Sequence, residues 1–125
     1  MSGLGVFKVR FWIGGLDRRN MVKLEGYVDT GATYSIVPGE ILDSAGVRRT
    51  RRLAVKGICC MKTVDVGDAL FRVEVDDEVV EGVSSVVFGD DPNLILLGSH
   101  TLGALGLEAD PVNKKLKKAS YIAMY

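Results

Sequence analysis

The sequence predicts an all-β domain. Apolar residues recur mostly at every second position, and the runs that carry this alternation are short and rich in β-branched and aromatic side chains. The chain also holds 15 glycines, which punctuate these runs. Together these features imply about seven to nine short strands and two short helices.

Val6 to Ile13 reads as the first strand, and Met21 to Val28 as the second, with Val22, Leu24, Gly26 and Val28 sharing one face. Gly14-Gly15 and the polar run after it turn the chain between them. Pro38 to Ala45 is expected to form a short helix, with Pro38 in its first turn and Gly46 closing it. The segment Leu53 to Val66 alternates loosely around a turn at Lys56-Gly57. Ala69 to Val75 alternates well, Asp76-Asp77 turns the chain, and Val79 to Phe88 returns. Leu94 to Leu97 is a continuous apolar run, as a strand covered on both faces requires. Ser99 to Leu105 fits a helix with Ser99 as N-cap and Gly106 at its end. A basic strand, Lys114 to Lys118, follows the turn at Asp110 to Asn113.

Composition bounds what the chain can do. At 125 residues it suits a single domain, 1–125, that can bury a core without metal or disulfide support. Lys plus Arg and Asp plus Glu number 16 each, which argues against a dedicated nucleic-acid binder. The cysteines are the neighbours Cys59 and Cys60, with no zinc-type ligand spacing and no disulfide framework. They are expected to pack as small apolar side chains, with an oxidisable pair as the lesser alternative. The start, MSGLGVFKVRFW, reads as strand rather than leader peptide, and no apolar run reaches the roughly 20 residues of a membrane span. A cytoplasmic location is therefore expected, with no cofactor, no metal, no nucleic acid and no membrane.

The stretch GYVDTGATYSIVP, residues 26–38, sets Asp29 at the end of an apolar strand. A carboxylate drawn out of water is costly unless it is paired or hydrogen-bonded. The simplest reading is a turn residue accepting a bond from the backbone of Gly31. The wider frame says more. Asp29-Thr30-Gly31-Ala32-Thr33 follows an apolar strand, and Ile95-Leu96-Leu97-Gly98 precedes a helix far downstream. This frame resembles the retropepsin-like aspartic proteases over roughly residues 21–116. The closing Leu107-Glu108-Ala109-Asp110-Pro111 is similar to the small cellular, single-domain branch of that family.

The resemblance implies a retropepsin-like acid-protease half-barrel and a role for each matching residue. Asp29 is the implied catalytic carboxylate. Thr30 directs its hydroxyl into a lattice across a subunit boundary, Gly31 permits close approach of a backbone, and Ala32 and Thr33 line the cleft floor. Leu96, Leu97 and Gly98 flank the Asp29 loop. Lys56, Gly57 and Ile58 form the tip of a flap over bound peptide. Aspartic proteases use two carboxyls, and two of them about 3 Å apart share one proton. Asp-Thr-Gly occurs once here, so the resemblance implies a homodimer with one Asp29 from each copy on a two-fold axis. The terminal strands, Gly5 to Ile13 and Leu116 to Tyr125, are interface candidates. Many retroviral members carry an Asp and an Arg where this chain has Thr33 and Ser99, so both partners of that ion pair are absent together.

Other polar features have plainer readings. His100, the single histidine, is expected on the solvent face of its helix. Arg48, Arg49, Arg51 and Arg52 are expected to protect a strand edge, with attraction of acidic peptides as the sharper alternative. Glu74, Asp76, Asp77, Glu78 and Glu81 alternate between faces rather than converging on a metal. The expected function is thus hydrolysis of peptide or protein substrates by a homodimeric aspartic endopeptidase. The alternatives are a non-catalytic peptide-binding or dimerisation module on the same fold, or a metal-dependent hydrolase.

Overall fold

The structure, a computed structural model, describes residues 7–56 and 58–120. Among them are nine strands and two helices: β1 (Phe7–Gly14), β2 (Val22–Val28), β3 (Ser35–Pro38), α1 (Gly39–Ser44), β4 (Arg51–Lys56), β5 (Met61–Val75), β6 (Glu78–Gly89), β7 (Leu96–Leu97), α2 (Ser99–Leu105), β8 (Leu107–Asp110) and β9 (Lys115–Lys118). Seven strands form one sheet in the order β1-β2-β7-β3-β6-β5-β4, and β8 and β9 make a separate hairpin. The large sheet curls back on itself, because β1 also pairs with β5 through Trp12↔Arg72, Ile13↔Phe71 and Gly14↔Leu70.

Alternation explains the core. Along β1 the side chains of Phe7, Phe11 and Ile13 turn inward, and along β5 those of Ala69, Phe71, Val73 and Val75 do the same. Phe11 and Phe71 stack with centroids 6.1 Å apart. Around them Val28, Val37, Leu42, Val86 and Leu97 have no exposed surface, each contributing about 1.5–3 kcal/mol on burial. At the β5–β6 turn, Asp76 and Asp77 have φ of 51° and 66°, the two successive positive angles of a tight primed hairpin. Arg72 and Glu81 face each other across that hairpin. The Arg72 guanidinium, 2.6 Å away, and then Arg18 hold the Glu81 carboxyl below the usual carboxylate range.

β5 is one strand of 15 residues with three partners. On one side β6 joins it only from Val66 onward. On the other side β4 pairs with Met61 to Val66 and β1 with Leu70 to Arg72. The first third, Met61 to Asp65, therefore pairs with β4 alone and leaves the barrel as a free-standing hairpin.

Several expectations are corrected in detail. The alternation around residue 67 does not end a strand, because β5 runs through it. Gly67 is there for space: a Cβ would lie 2.1 Å from the Arg48 carbonyl oxygen. The apolar run Leu94 to Leu97 yields a strand of only Leu96–Leu97, since the Leu94 N–H turns back to the Asp91 carbonyl at 3.2 Å. Ser99 is not the N-cap of α2; Gly98 occupies that position and no side chain caps the helix. The glycines after the helices, Gly46 and Gly106, have φ of 84° and 68° and close them as expected. β3 was not expected at all. The apolar residues of the proposed interface strands are largely covered within one chain, with Phe7, Phe11, Ile13 and Leu116 all in the core. Gly5, Val6 and residues 121–125 lie outside the described residues.

Candidate active site

The loop after β2 is built by the strand that lies beside it. β7 is slotted between β2 and β3, parallel to the first through Tyr27↔Leu96 and Val28↔Leu97, and antiparallel to the second through Ile36↔Leu96. The ladder runs one residue past β2, where the Asp29 N–H donates to the Leu97 carbonyl at 2.9 Å. The chain then turns sharply. Ala32 N–H donates to the Asp29 carbonyl at 3.1 Å, and Gly31 N–H donates to Asp29 Oδ1 at 2.9 Å. The turn-residue reading of Asp29 is thus correct as local geometry, and it occupies only one carboxylate oxygen.

The start of α2 clasps the far side of the loop. Ser99 N–H donates to the Ala32 carbonyl at 2.8 Å and His100 N–H to the Thr33 carbonyl at 3.0 Å. Between these contacts Gly98 passes so close to the loop that a Cβ would sit 2.7 Å from the Tyr34 carbonyl carbon and oxygen, and 2.8 Å from Ala32 O. Beneath the floor lies a chain of buried hydroxyls. Gly98 N–H donates to Ser35 Oγ at 3.0 Å, Ser35 Oγ is hydrogen-bonded to Thr101 Oγ1, and Thr101 Oγ1 is 3.0 Å from Ser84 Oγ. Ser35 and Thr101 have no exposed surface. This network does by neutral hydrogen bonds what a polar clamp behind the loop requires, with no charge to desolvate. It was not expected from the sequence. The sequence carries no signal for it, since β3, which holds Ser35, has only 4 residues and shows no period.

Asp29 is 8% exposed. Among the described residues it has no cation within ion-pair distance. Thr30, Gly31 and Thr33 are exposed and Ala32 is half-buried. Leu96, Leu97 and Gly98 are buried directly beneath, joined to the loop through backbone as described.

A cavity of about 770 Å³ opens beside the loop. Its floor is Ala32, Thr33, Tyr34 and Ile36, its roof is the β4–β5 hairpin through Val55, Lys56, Lys62 and Val64, and its far wall runs from Val87 to Asp91. Asp29 does not line it; the nearest lining residue in sequence is Ala32, whose N–H donates to the Asp29 carbonyl. Of the expected flap residues, Lys56 lines the cavity, Ile58 is fully exposed, and Gly57 lies outside the described residues. Cys59 and Cys60, expected to pack, are both exposed in the hairpin loop. A loop beyond the last ladder pair has no neighbouring strand to cover it. His100 is exposed as expected, its ring edge-on to Tyr34 at 5.6 Å.

Three of the four arginines in the run are paired with carboxylates. Arg49 pairs with Asp43 at 2.8 Å and Asp65 at 3.1 Å, Arg52 with Asp65 at 3.1 Å, and Arg51 with Asp68 at 3.4 Å. Only Arg52 of the four lines the cavity. Arg49 also lies over the Phe88 ring at 4.6 Å. Among the described residues no group of three or more His, Cys, Asp or Glu is placed to hold a metal ion, and no helix is long and apolar enough to cross a membrane.

One ion pair ties the roof to the wall: Lys62 of the hairpin contacts Asp90. The Lys62 ammonium holds the Asp90 carboxyl below its ordinary range, through a hydrogen bond and through its charge. A carboxylate whose folded-state value is depressed contributes above its unfolded value and stops contributing as pH falls through the folded one. Asp90→Asn is therefore expected to speed amide hydrogen exchange in residues 61–65 at neutral pH. The difference from wild type should shrink in high salt and vanish below the carboxylate range. Equal exchange at neutral pH would remove the tether.

Comparison with known proteins agrees with this architecture. No protein-family model matches the chain, and no curated protein matches it. Among solved structures it is similar to the protease of simian foamy virus (mac), solved in solution, at 26% identity and a TM-score of 0.53, over 77% of this chain and 91% of that one. With its curled sheet, clasped loop and free hairpin, the chain has the all-β, retropepsin-like half-barrel fold of a retroviral protease.

Proposed function

We propose that the chain is a single-domain aspartic endopeptidase that works as a homodimer, its two Asp29 carboxylates sharing one proton. The observation that carries this reading is Asp29 itself. It is a nearly buried carboxylate with no counter-charge among the described residues, held by backbone in a loop whose next residues, Ala32 to Tyr34, line a cavity of about 770 Å³. Its neighbours Thr30 and Gly31 are exposed, which leaves the loop open for a second copy to approach. A partner Asp29 would supply the missing half of the chemistry. One carboxylate, ionised, takes a proton from water, while the other, protonated, donates a hydrogen bond to the scissile carbonyl. The pair then titrates as a unit. Peptide would lie extended between the hairpin and the floor, held largely through backbone hydrogen bonds. Residues 107–111, which form β8 and open the turn to β9, carry the resemblance that supports placing the chain with the small cellular branch of the family. In this reading it acts in the cytoplasm, on unfolded or extended protein segments.

The dimer is the most exposed part of the proposal. Sedimentation and cleavage of an unstructured protein, measured over the same concentration series, are expected to move together. Below the dissociation constant the cleavage rate should rise with the square of protein concentration. A species that stays monomeric at high concentration and still cleaves would contradict the shared active site. A dimer that cleaves nothing from acid to neutral pH would instead favour a peptide-binding or dimerisation module. Activity abolished by a chelator would point to metal chemistry.

A further inference from the structure

We propose that Cys59 and Cys60 form a reversible dithiol switch in the hairpin loop, oxidised by small-molecule disulfides to a bond within one chain. Both thiols are exposed, and their Sγ atoms stand 2.6 Å apart. They lie beyond the last pair of the β4–β5 ladder, Lys56↔Met61, so a bond between them disturbs no ladder hydrogen bond. Neighbouring Cα atoms are about 3.8 Å apart, against about 5.5 Å in an ordinary bridge. The closed ring is consequently strained, and strained, exposed disulfides are the reducible, regulatory ones rather than the structural ones. In a reducing compartment such a bond forms transiently, in response to oxidant.

The chemistry balances with a low-molecular-weight disulfide as oxidant. Cys59, as thiolate, attacks one sulfur of the small disulfide and forms a mixed disulfide, releasing the first small thiol. Cys60 then loses its proton and attacks Cys59 Sγ, releasing the second. Two cysteines are oxidised by two electrons and one small disulfide is reduced to two thiols. The hydrogen bond to Cys59, and then burial, push the Cys60 thiol up, against the nearby Lys62 charge.

Closing the ring fixes the backbone between two exposed apolar side chains, Ile58 and Met61. Met61 opens β5, whose first residues roof the cavity, so the redox state sets the conformation of the roof. That part of the inference rests on the peptidase reading only for its effect on cleavage.

The test incubates the reduced full chain with oxidised glutathione and reads intact mass, a peptide map and hydrogen exchange. Wild type is expected to lose the mass of two hydrogens, with the link mapped between residues 59 and 60 and reversed by dithiothreitol. Cys59→Ser and Cys60→Ser should each stop with one glutathione attached. Exchange in residues 61–65 should slow on oxidation of wild type and stay unchanged in the double serine variant. A stable glutathione adduct on wild type, a cross-linked dimer, an unaltered mass, or equal exchange in both redox states would overturn the proposal. Cleavage is read alongside: it should fall on oxidation and recover on reduction. If neither redox state cleaves, it is the peptidase reading that fails, because mass and exchange decide the switch without it.

Discussion

Asp29→Asn is expected to abolish cleavage of an unstructured protein, lowering the rate by about 10²- to 10⁴-fold or more at every pH between acid and neutral. The substitution changes little else. An amide has nearly the shape of a carboxylate, and its oxygen still accepts the Gly31 N–H that meets Asp29 Oδ1 at 2.9 Å. The backbone bond from residue 29 to the Leu97 carbonyl is untouched. Folding should therefore survive. Circular dichroism and sedimentation check this while cleavage is assayed. Full activity in the variant would sink the assignment of Asp29. Loss of activity together with loss of fold would show that the carboxylate acts as a turn residue and would leave its chemical role to a gentler probe, the pH profile of wild type.

The second large effect belongs to Gly98→Ala. The added methyl would meet the Tyr34 carbonyl at 2.7 Å and Ala32 O at 2.8 Å. These are backbone atoms, which cannot rotate away as a side-chain tip can. The junction between β7 and α2 must move off the Asp29 loop, straining the bonds from Ser99 and His100 and the contact to Ser35 Oγ. Overpacking of this kind costs about 3 kcal/mol, a fall in Tm of about 10 °C for a domain of this size. Cleavage should fall further than stability does, since the strain centres on the loop that holds the carboxylate. Gly103→Ala in the same helix is the control. No atom lies within 4 Å of its added Cβ, and removing a helical glycine gains about 0.5–1 kcal/mol. If the two variants melt alike, the close approach at residue 98 has no energetic weight.

The main strands and the C-terminal ends of both helices were legible because they follow from local chemistry. Alternation along β1, β2 and β6 reports one buried face, and Gly46, Gly106 and Asp76-Asp77 report backbone angles that few other residues adopt. Asp29 was legible because a carboxylate at the end of an apolar strand is an anomaly with few explanations. What stayed hidden depends on partners distant in sequence. β3 has four residues and too little length to show a period; it exists because β6 and β7 flank it. Ser35, Ser84 and Thr101 look like ordinary surface residues until three separate elements bring their hydroxyls together. Gly67 looks like a break, and only the passing Arg48 carbonyl shows that it is a clearance. The exposure of Cys59 and Cys60 was misjudged for the same reason: small sulfur side chains favour interiors, but nothing in the fold reaches over the hairpin loop to provide one.

The two-residue strand β7 also sets an order of events. Its pairing joins residues 27 and 28 to residues 96 and 97, a contact between widely separated parts of the chain, and such contacts form late and slowly. During synthesis the Leu97 carbonyl and the first turn of α2 that hold the Asp29 loop emerge more than 60 residues after it. Until then the carboxylate sits on an unclasped loop, without the backbone frame that holds it in the folded domain. The topology thus acts as a timer, delaying the site until the domain around it is nearly complete.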